Sequence, residues 1–600
     1  MDKRFFLALL LTAAAIIAAP LIFPGPKRVP SSAAVERLDS TRVADPARPA
    51  ATQTAGQDQQ PVARADTPAV TTPAAPAPDS LARLAVRAET VTVETPLATY
   101  RFGSLGAAPI AATMKAYHSL RPEARVHLVD LARDNDTLLR YRLAIPGDTI
   151  DLARTPFAVT RAPLVGATFP RGAERLTFTA TPAELPAARV TVAYDVIPDS
   201  ANGYLLRTNG RVEGAPSPAY LLIDLPSGLR SAEADTVEDQ SHLAFAYKPR
   251  ADDAQGISFS SLDPGERVLA EGPITWLVSK NKYFIVGLLK DTAHAPFAQL
   301  EVTGGARTSK RALVAHATAV EPVANGAFGF ELYMGPQEWR RMVGMGRDFQ
   351  NANPYGGWFQ GVVQPFATIV MRTLLWMKDT FRLHYGWVLV LFGVAIRLIL
   401  WPLNAKAMRA SLKMQAVQPE LQAVQSKYKN DPQKLQAEIM RVYKAHDMSP
   451  FSTLSGCLPA LIPMPVLFAL FFVFRNTIEF RGVPFLWLPD ISLHDPLYIL
   501  PLAMGISMFV LSWIGTRGAP TGNNPQLIMQ QKMMMYLFPV IMTVSLWKFA
   551  SGLNLYYTVQ NLAALPQQWL IARERTKLTP VLAAESKAAA SGSQKKSKKA

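Results

Sequence analysis

Five long apolar runs lie between residues 385 and 570 of this 600-residue chain, and a sixth lies at its N-terminus. The five cover approximately residues 385–403, 454–474, 497–514, 533–549 and 553–570. A helix of about 20 residues, rising 1.5 Å per residue, spans the ~30 Å hydrocarbon core of a bilayer. Prolines inside several runs are typical of bundles in which neighbouring helices satisfy the freed backbone groups. The sequence therefore predicts an α-helical polytopic membrane protein with six spans.

The N-terminal run follows positive charges at Lys3 and Arg4 and contains no charge from residue 5 to residue 23. A signal-anchor span over residues 1–23 and a cleaved signal peptide both explain this pattern. The anchor is favoured because the run is long for a signal peptide and a cleavage site would want small residues where Ile16 and Ile17 stand. Residues 24–88 are rich in Pro and Ala and predict a disordered linker.

Residues 89–340 contain short β-branched runs separated by turn clusters such as Pro146-Gly147-Asp148. Many short strands over this length predict a large β-sandwich domain. The domain has no catalytic signature. A carbohydrate-binding role stays open, because β-sandwiches often carry such sites and the fold alone does not decide it.

Residues 341–383 lead from this domain to the first core span. Val362, Phe366, Ile369 and Leu374 follow helical spacing, which predicts an amphipathic helix lying at the membrane interface. The alternative is a helix packed on the β-sandwich.

The five core spans make up a segment of residues 384–572, which includes a basic loop at residues 404–450. Met414, Val417, Leu421 and Val424 step along one helical seam, and a second seam follows Pro432. These seams predict an antiparallel helical hairpin, with a kink at Pro419. The hairpin is either purely structural or a contact site for a partner such as the ribosome or anionic lipid.

Positive charge marks the side of the membrane on which each segment lies. The hairpin loop carries eight Lys and Arg against four Asp and Glu, or 8 − 4 = +4. The tail at residues 573–600 carries eight against two, or 8 − 2 = +6, and is predicted to be disordered. Both termini and the hairpin are therefore expected in the cytoplasm, and the β-sandwich in the periplasm.

Arg397 lies inside the first core span, between Ile396 and Leu398. An arginine at bilayer depth costs ~2.5–3.5 kcal/mol on insertion scales and normally faces a bundle interior or a wet cavity. The core spans contain no acidic residue to neutralise it, which favours a water-filled groove. The alternative is that its side chain reaches the nearby cytoplasmic interface.

Other spans would contribute polar groups to such a groove. The candidates are Cys457, Asn554, Tyr556, Tyr557 and Gln560. Methionines including Met464, Met504 and Met508 would accept varied apolar segments, or would serve ordinary packing.

Catalytic and metal-dependent functions have little support. The single cysteine, Cys457, has no histidine near it in its span, and the eight histidines lack metal-binding spacing. We therefore expect no enzymatic activity and no cofactor. A small-molecule transporter is the alternative function, although paired internal repeats are absent.

Several motifs occur together in one order. They are Ile396-Arg397-Leu398-Ile399-Leu400-Trp401-Pro402-Leu403, Gln418-Pro419, Gly456-Cys457-Leu458-Pro459, Asp495-Pro496-Leu497-Tyr498 and Ser551-Gly552-Leu553-Asn554-Leu555-Tyr556-Tyr557. Over approximately residues 355–572 the chain resembles the YidC/Oxa insertase family. The N-terminal anchor and the β-domain resemble the Gram-negative YidC form, whose periplasmic domain is a β-supersandwich.

The resemblance implies an inner-membrane insertase and chaperone that works on new membrane proteins, alone or with the Sec translocon. Its cytoplasm-open groove would contain Arg397, with Gly393 one turn before it and Tyr556 and Tyr557 opposite. Cys457 would pack or contact substrate. The hairpin and tail would meet ribosomes or targeting factors, with one copy as the working unit. Gly393 departs from the family, where a small hydroxyl residue is frequent, so the polarity of the groove is open.

Overall fold

A computed structural model describes residues 89–597, except for 135, 167–168, 200–202, 292–293, 308–311, 354–359, 430, 446–463 and 517–524. The predicted anchor, the predicted linker and Cys457 lie outside the described residues. The first part of the predicted span 454–474 lies outside them as well.

The β-domain is built from strands that run between Thr90 and Pro336. The strands are β1 Thr90–Glu94, β2 Ala98–Gly103, β3 Pro109–His118, β4 Leu128–Asp130, β5 Arg140–Ile145, β6 Asp148–Asp151, β7 Ala158–Pro163, β8 Glu174–Ala180, β9 Arg189–Val196, β10 Leu205–Glu213, β11 Tyr220–Asp224, β12 Ala244–Pro249, β13 Gln255–Ser258, β14 Arg267–Lys280, β15 Phe284–Leu289, β16 Phe297–Gly304, β17 Ala315–Pro322 and β18 Ala327–Pro336. Helix α1, Thr236–Gln240, and helix α2, Trp339–Gly344, accompany them.

The strands form two antiparallel sheets. Strands β1 to β4 make a small sheet in chain order, and the large sheet follows the order β6-β5-β11-β17-β16-β14-β15-β18-β10-β9-β8-β7, with β12 and β13 branching from β14. The small sheet packs on one end of the large sheet, because the Phe102 ring lies 6.1 Å from Phe178 and 4.7 Å from Tyr194. The layered β-rich domain predicted from the turn spacing is confirmed.

The remaining described residues are mainly helical. The helices are α3 Gln360–Phe381, α4 Tyr385–Lys427, α5 Pro432–Ala445, α6 Met464–Asn476, α7 Ile499–Thr516, α8 Pro525–Lys532, α9 Phe538–Ser545 and α10 Ser551–Ser597. A π-helical turn, Met533–Leu537, joins α8 to α9.

Two described segments are long and apolar enough to cross a bilayer, Tyr385–Ala407 and Ile499–Thr516. Val466–Asn476 and Met533–Ser545 are apolar but shorter. The count of six spans is therefore not confirmed and stays a prediction.

Helix α3 is amphipathic, as predicted. Its buried face, which includes Val370, Met371 and Leu374, belongs to the same apolar core as Phe471 of α6, whereas Ile369 and Trp376 are exposed. This packing against α6 favours the predicted amphipathic helix over the alternative of a helix packed on the β-domain, and its place at the membrane interface stays a prediction.

The predicted hairpin is present, but its first arm is the continuation of a membrane helix. Helix α4 passes through residue 419 without a break, so the predicted kink does not interrupt the helix. Val417 and Leu421 pack against Val442 and Tyr443 of α5, which confirms the two apolar seams.

The tail departs from the prediction. Helix α10 continues to Ser597, whereas residues 573–600 were expected to be disordered because of their charge. Alanine at residues 583–584 and 588–590 favours helix.

Candidate functional site

Helices α4 and α10 lie side by side, and the absence of a side chain at Gly393 allows their close approach. A Cβ atom at Gly393 would lie 3.0 Å from Cγ1 of Val559 and 3.5 Å from the Tyr556 ring. Gly393 is buried at this contact. The helices can therefore exchange hydrogen bonds between a side chain of one and the backbone of the other.

Two glutamines of α10 make these bonds. The Nε2 atom of Gln560 donates to the Gly393 carbonyl at 3.1 Å and to the Tyr556 hydroxyl at 2.9 Å. The Nε2 atom of Gln567 donates to the Trp401 carbonyl at 2.9 Å. Since Gln560 meets Gly393 and Gln567 meets Trp401, the two helices run parallel.

Arg397 lies between these two contacts. Its Nη2 atom donates to Oε1 of Gln567 at 2.8 Å, and its Nε atom is buried with no hydrogen-bond partner among the described residues. No salt bridge to Arg397 is present in the described part of the chain. Its neighbours Leu398 and Ile399 are 60% and 69% exposed on the outer face. The guanidinium is therefore directed at α10, with a neutral amide as its partner.

We call Gly393, Arg397, Tyr556, Gln560 and Gln567 the polar seam. Each of these five residues takes part in a hydrogen bond, Gly393 through its carbonyl, and Gly393 also allows the close approach of the two helices. The only charged side chain of the seam is Arg397. The seam can hold water or an anionic group next to a cation without first breaking an ion pair.

Tyr557 and Asn554 were also predicted to line the groove, but neither belongs to the polar seam. The Tyr557 hydroxyl is buried without a partner among the described residues. Asn554 is fully buried, and its Nδ2 atom donates to the Leu546 carbonyl at 3.2 Å. Asn554 therefore stabilises the turn that precedes α10, and its place in the groove stays a prediction.

The remaining predicted positions are Cys457 and the methionines. Cys457 lies outside the described residues, so its place in the groove stays a prediction. Met504 is fully buried in the apolar core, which fits ordinary packing, and Met508 is only partly buried. No group of three or more His, Cys, Asp or Glu residues arranged to hold a metal ion occurs in the described part of the chain.

Gln567 is the seam residue that the sequence analysis missed. It is 2% exposed, although the predicted span around it was judged mainly by its apolar residues. Tyr556, Gln560 and Gln567 are spaced by four and seven residues, which places them on one face of a helix. That spacing is the signal that would have found it.

Comparisons with known proteins give consistent results. The family model described as "YidC periplasmic domain" matches residues 90–369, and the one described as "60Kd inner membrane protein" matches residues 376–578. A "Membrane protein insertase YidC" of Anaeromyxobacter dehalogenans (strain 2CP-C) is 34% identical over 319 residues, covering 52% of this chain and 54% of the relative. The chain thus spans about half the length of the first curated relatives that it matches.

A relative of the same name from Syntrophus aciditrophicus (strain SB) matches over a greater length. It is 27% identical over 592 residues, covering 96% of this chain and 100% of the relative. Among solved structures, an active YidC insertase shows 20% identity with a TM-score of 0.31, covering 81% of this chain and 93% of that one. YidC from Thermotoga maritima shows 15% identity and a TM-score of 0.26, covering 80% and 98%. The family assignment rests on the sequence matches.

Proposed function

Because the chain belongs to the YidC/Oxa family of membrane protein insertases, we propose that it inserts newly made membrane proteins and helps them to fold. The polar seam is the proposed groove through which the hydrophilic end of a substrate passes. The observation that carries this proposal is the Arg397–Gln567 contact at 2.8 Å, in which a cation has no acidic partner among the described residues.

The charge of Arg397 supports a step of substrate capture. A carboxylate near the N-terminus of a short membrane protein would form a charge-assisted hydrogen bond with the guanidinium, displacing the weaker neutral amide of Gln567. The unpartnered Nε atom gives the guanidinium a further donor for this purpose. The incoming polar end is thereby held within the membrane while its apolar segment finds lipid.

The outer faces of the same helices support the next step. Leu398, Ile399 and Leu562 are exposed beside the seam, so an apolar segment leaving the seam meets apolar side chains and lipid. Passing from the polar to the apolar side of α4 and α10 lowers the free energy of the segment, because its nonpolar surface leaves water. No covalent step is required, in keeping with an insertase rather than an enzyme.

We propose the topology and partners from charge. The parallel course of α4 and α10 agrees with both helices entering the membrane from one side. The excess of Lys and Arg in the hairpin and in the tail favours the cytoplasm for both, and hence the periplasm for the β-domain. The same charge makes ribosomes, targeting factors and anionic lipid the expected contacts there, and the Sec translocon a partner for larger substrates.

The test is insertion of a short membrane protein with an acidic N-terminal segment into proteoliposomes that contain the full chain. We expect Arg397→Ala to lower insertion by about tenfold, the loss of roughly one charge-assisted hydrogen bond. Arg397→Lys should restore part of the activity, because it keeps the charge. Arg409→Ala is the matched control, since Arg409 lies on the same helix but is exposed and paired with Glu574.

The result also separates the alternatives. Equal insertion by wild type and a folded Arg397→Ala protein would show that the charge of Arg397 is not needed for capture. No insertion by wild type above empty liposomes would overturn the insertase assignment and favour the small-molecule transporter. A substrate whose acidic residues are replaced by amides should depend less on Arg397, which tests the charge attraction directly.

A further inference from the structure

A cavity of about 220 Å³ lies where the β-domain meets the membrane helices, and no residue of the polar seam lines it. Its walls come from the region of α1, from the last turns of α6 and from the turn between α9 and α10. Neither the seam nor the proposed insertion route uses it.

Charges of both signs line this cavity. Arg475 and Lys548 bring two positive charges, and Asp235 and Glu238 bring two negative charges, so the sum is 2 − 2 = 0. Arg475 Nε lies 3.7 Å from a Glu238 carboxylate oxygen. Lys548 is exposed and has no ion-pair or hydrogen-bond partner among the described residues. The lining therefore offers a cation for an anion, next to the carboxylates of Asp235 and Glu238, of which Glu238 also lies 3.4 Å from Nζ of Lys282.

His242 contacts Arg475 but adds no charge to the cavity. The Nε atom of Arg475 donates to Nε2 of His242 at 2.9 Å, so that ring nitrogen is an acceptor. Burial of the ring and the charge of Arg475 lower the pKa of His242 well below its usual value. The imidazole is therefore neutral and adds no positive charge to the cavity.

The opposite wall is apolar and belongs to the membrane helices. Phe471 and Phe474 of α6 line it, and the Phe471 ring lies 5.5 Å from that of Phe549. Helix α6 is apolar up to Phe474 and ends at Asn476, which places the cavity at the end of a membrane helix. A molecule held here would have its charged part among the charged side chains and an apolar part against the aromatic rings.

We propose that this cavity binds the head group of a phospholipid that carries a phosphodiester and a primary ammonium group. The phosphate lies against Lys548 and Arg475, the ammonium lies against Asp235 and Glu238, and the acyl chains leave along Phe471 and Phe474. A lining of zero net charge suits a zwitterionic head group. An anionic head group would bring its negative charge close to the carboxylates and would offer no cation to pair with them. A quaternary ammonium cannot donate the hydrogen bonds that the carboxylates accept.

The volume of the cavity favours a lipid head group over a polypeptide segment as its occupant. Sites for drug-sized ligands occupy about 300–1,000 Å³, so a cavity of about 220 Å³ suits a smaller group and not a folded peptide segment. Both a lipid head group and a soluble phosphate ester can carry phosphoethanolamine. The position of the cavity at the end of α6 favours the lipid.

The test measures which lipid the purified full chain retains from an equal mixture of phosphatidylethanolamine, phosphatidylglycerol and phosphatidylcholine with identical acyl chains. Native mass spectrometry without substrate should show preferential retention of phosphatidylethanolamine. Lys548→Ala should weaken this retention about tenfold, and Lys548→Arg should keep it. Lys532→Ala is the matched control, since Lys532 is an exposed lysine at the end of α8, before the π-helical turn and α9.

Three results would overturn the proposal. These are equal retention of all three lipids, unchanged retention in Lys548→Ala, and full displacement of the lipid by soluble phosphoethanolamine, which would identify a soluble ester as the ligand. Cross-linking from Phe474 to an inserting substrate instead of to lipid would assign the cavity to the polypeptide. The lipid-retention measurement contains no insertion step, so its outcome is independent of the insertase function.

Discussion

Arg481 and Glu233 form a salt bridge in which each side chain is only 5% exposed, although one follows α6 and the other precedes α1 in the β-domain. The Nε atom of Arg481 lies 2.8 Å and 3.0 Å from the two carboxylate oxygens, and Nη2 donates to the His118 carbonyl at 2.9 Å. The β-domain is therefore joined to the membrane helices by a buried charged pair, in addition to apolar contacts.

Arg481→Ala should destabilise the folded protein by about 3–5 kcal/mol, because it leaves the Glu233 carboxylate buried without its partner. Chemical unfolding in micelles measures the loss. Arg101→Ala is the control, since its pair with Asp130 is exposed and should be worth less than about 1 kcal/mol. Equal effects of the two substitutions would show that the Arg481 pair is not important for docking. Arg481→Met combined with Glu233→Leu should recover most of the stability.

Stability should fall as the pH rises from about 4.5 to about 7, in part because of Glu479. Burial raises the pKa of Glu479 from 4.5 to about 7, so between these values the folded state holds a proton that the unfolded state has released. The stabilisation is complete below the unfolded pKa and is lost as the pH passes the folded pKa, a change of about 3 kcal/mol. Unfolding free energies across this range should decline less steeply in Glu479→Gln than in wild type or in exposed Glu213→Gln. An unchanged slope in Glu479→Gln would contradict the assignment.

Gln567→Glu should reduce the insertion of acidic-headed substrates. The new carboxylate would lie where Gln567 Oε1 now accepts from Arg397 at 2.8 Å, and would neutralise the guanidinium. We expect a loss of about tenfold for acidic substrates and little loss for neutral ones. Gln568→Glu provides the control, because it adds the same charge on the same helix next to Gly515. Equal losses for both substrates would indicate damage to the fold instead.

Gly393→Leu should separate α4 from α10. Its Cβ atom would already lie 3.0 Å from Val559, and the remaining side-chain atoms have no space between the helices. Overpacking of this kind costs about 1–3 kcal/mol and should break the Gln560 hydrogen bond to the Gly393 carbonyl. Stability and insertion measured together should both decline, more than in Ala395→Leu on the same helix. Full activity of a stable Gly393→Leu protein would show that the seam does not need close contact.

Leu421→Asp should open the hairpin without disabling the polar seam. Leu421 is 7% exposed in a small cluster with Val417, Val442 and Tyr443, so a carboxylate there would be buried among apolar groups. Amide exchange of α5 should rise by about 100-fold, whereas exposed Ala423→Asp should change it little. Insertion into proteoliposomes without ribosomes should persist. Its loss would mean that the hairpin is needed for insertion itself.

Local patterns were sufficient to predict much of this fold. Apolar periodicity located α3, the two seams of the hairpin and the apolar helices, and the turn spacing located the β-domain between residues 89 and 340. Arg397 was found because a charge within an apolar run has few explanations. Each of these signals lies within one short stretch of sequence.

Contacts between distant residues were not predictable in this way. Arg397 and Gln567 are 170 residues apart, and Arg481 and Glu233 are 248 apart. Nothing in a single sequence pairs them. Asn554 was predicted to line the groove because it is a polar residue within an apolar span. Its hydrogen bond to the Leu546 carbonyl depends on the turn before α10, which the sequence pattern did not reveal. The end of the first core span was placed where polarity changes, but the backbone of α4 continues past that point.

Helix α4 is continuous over 43 residues, about 65 Å along its axis, with Arg397 in its first third and the first hairpin arm in its last part. Val417 lies twenty residues, about 30 Å, beyond Arg397 along the helix. A rotation of the helix by about 10° about Arg397 would therefore move Val417 through an arc of about 5 Å. The Arg409–Glu574 pair lies between them, but it is exposed and therefore adds little to the attachment of α4 to α10. A displacement of the hairpin can therefore reach Arg397 through the helix itself, because no loop lies between them.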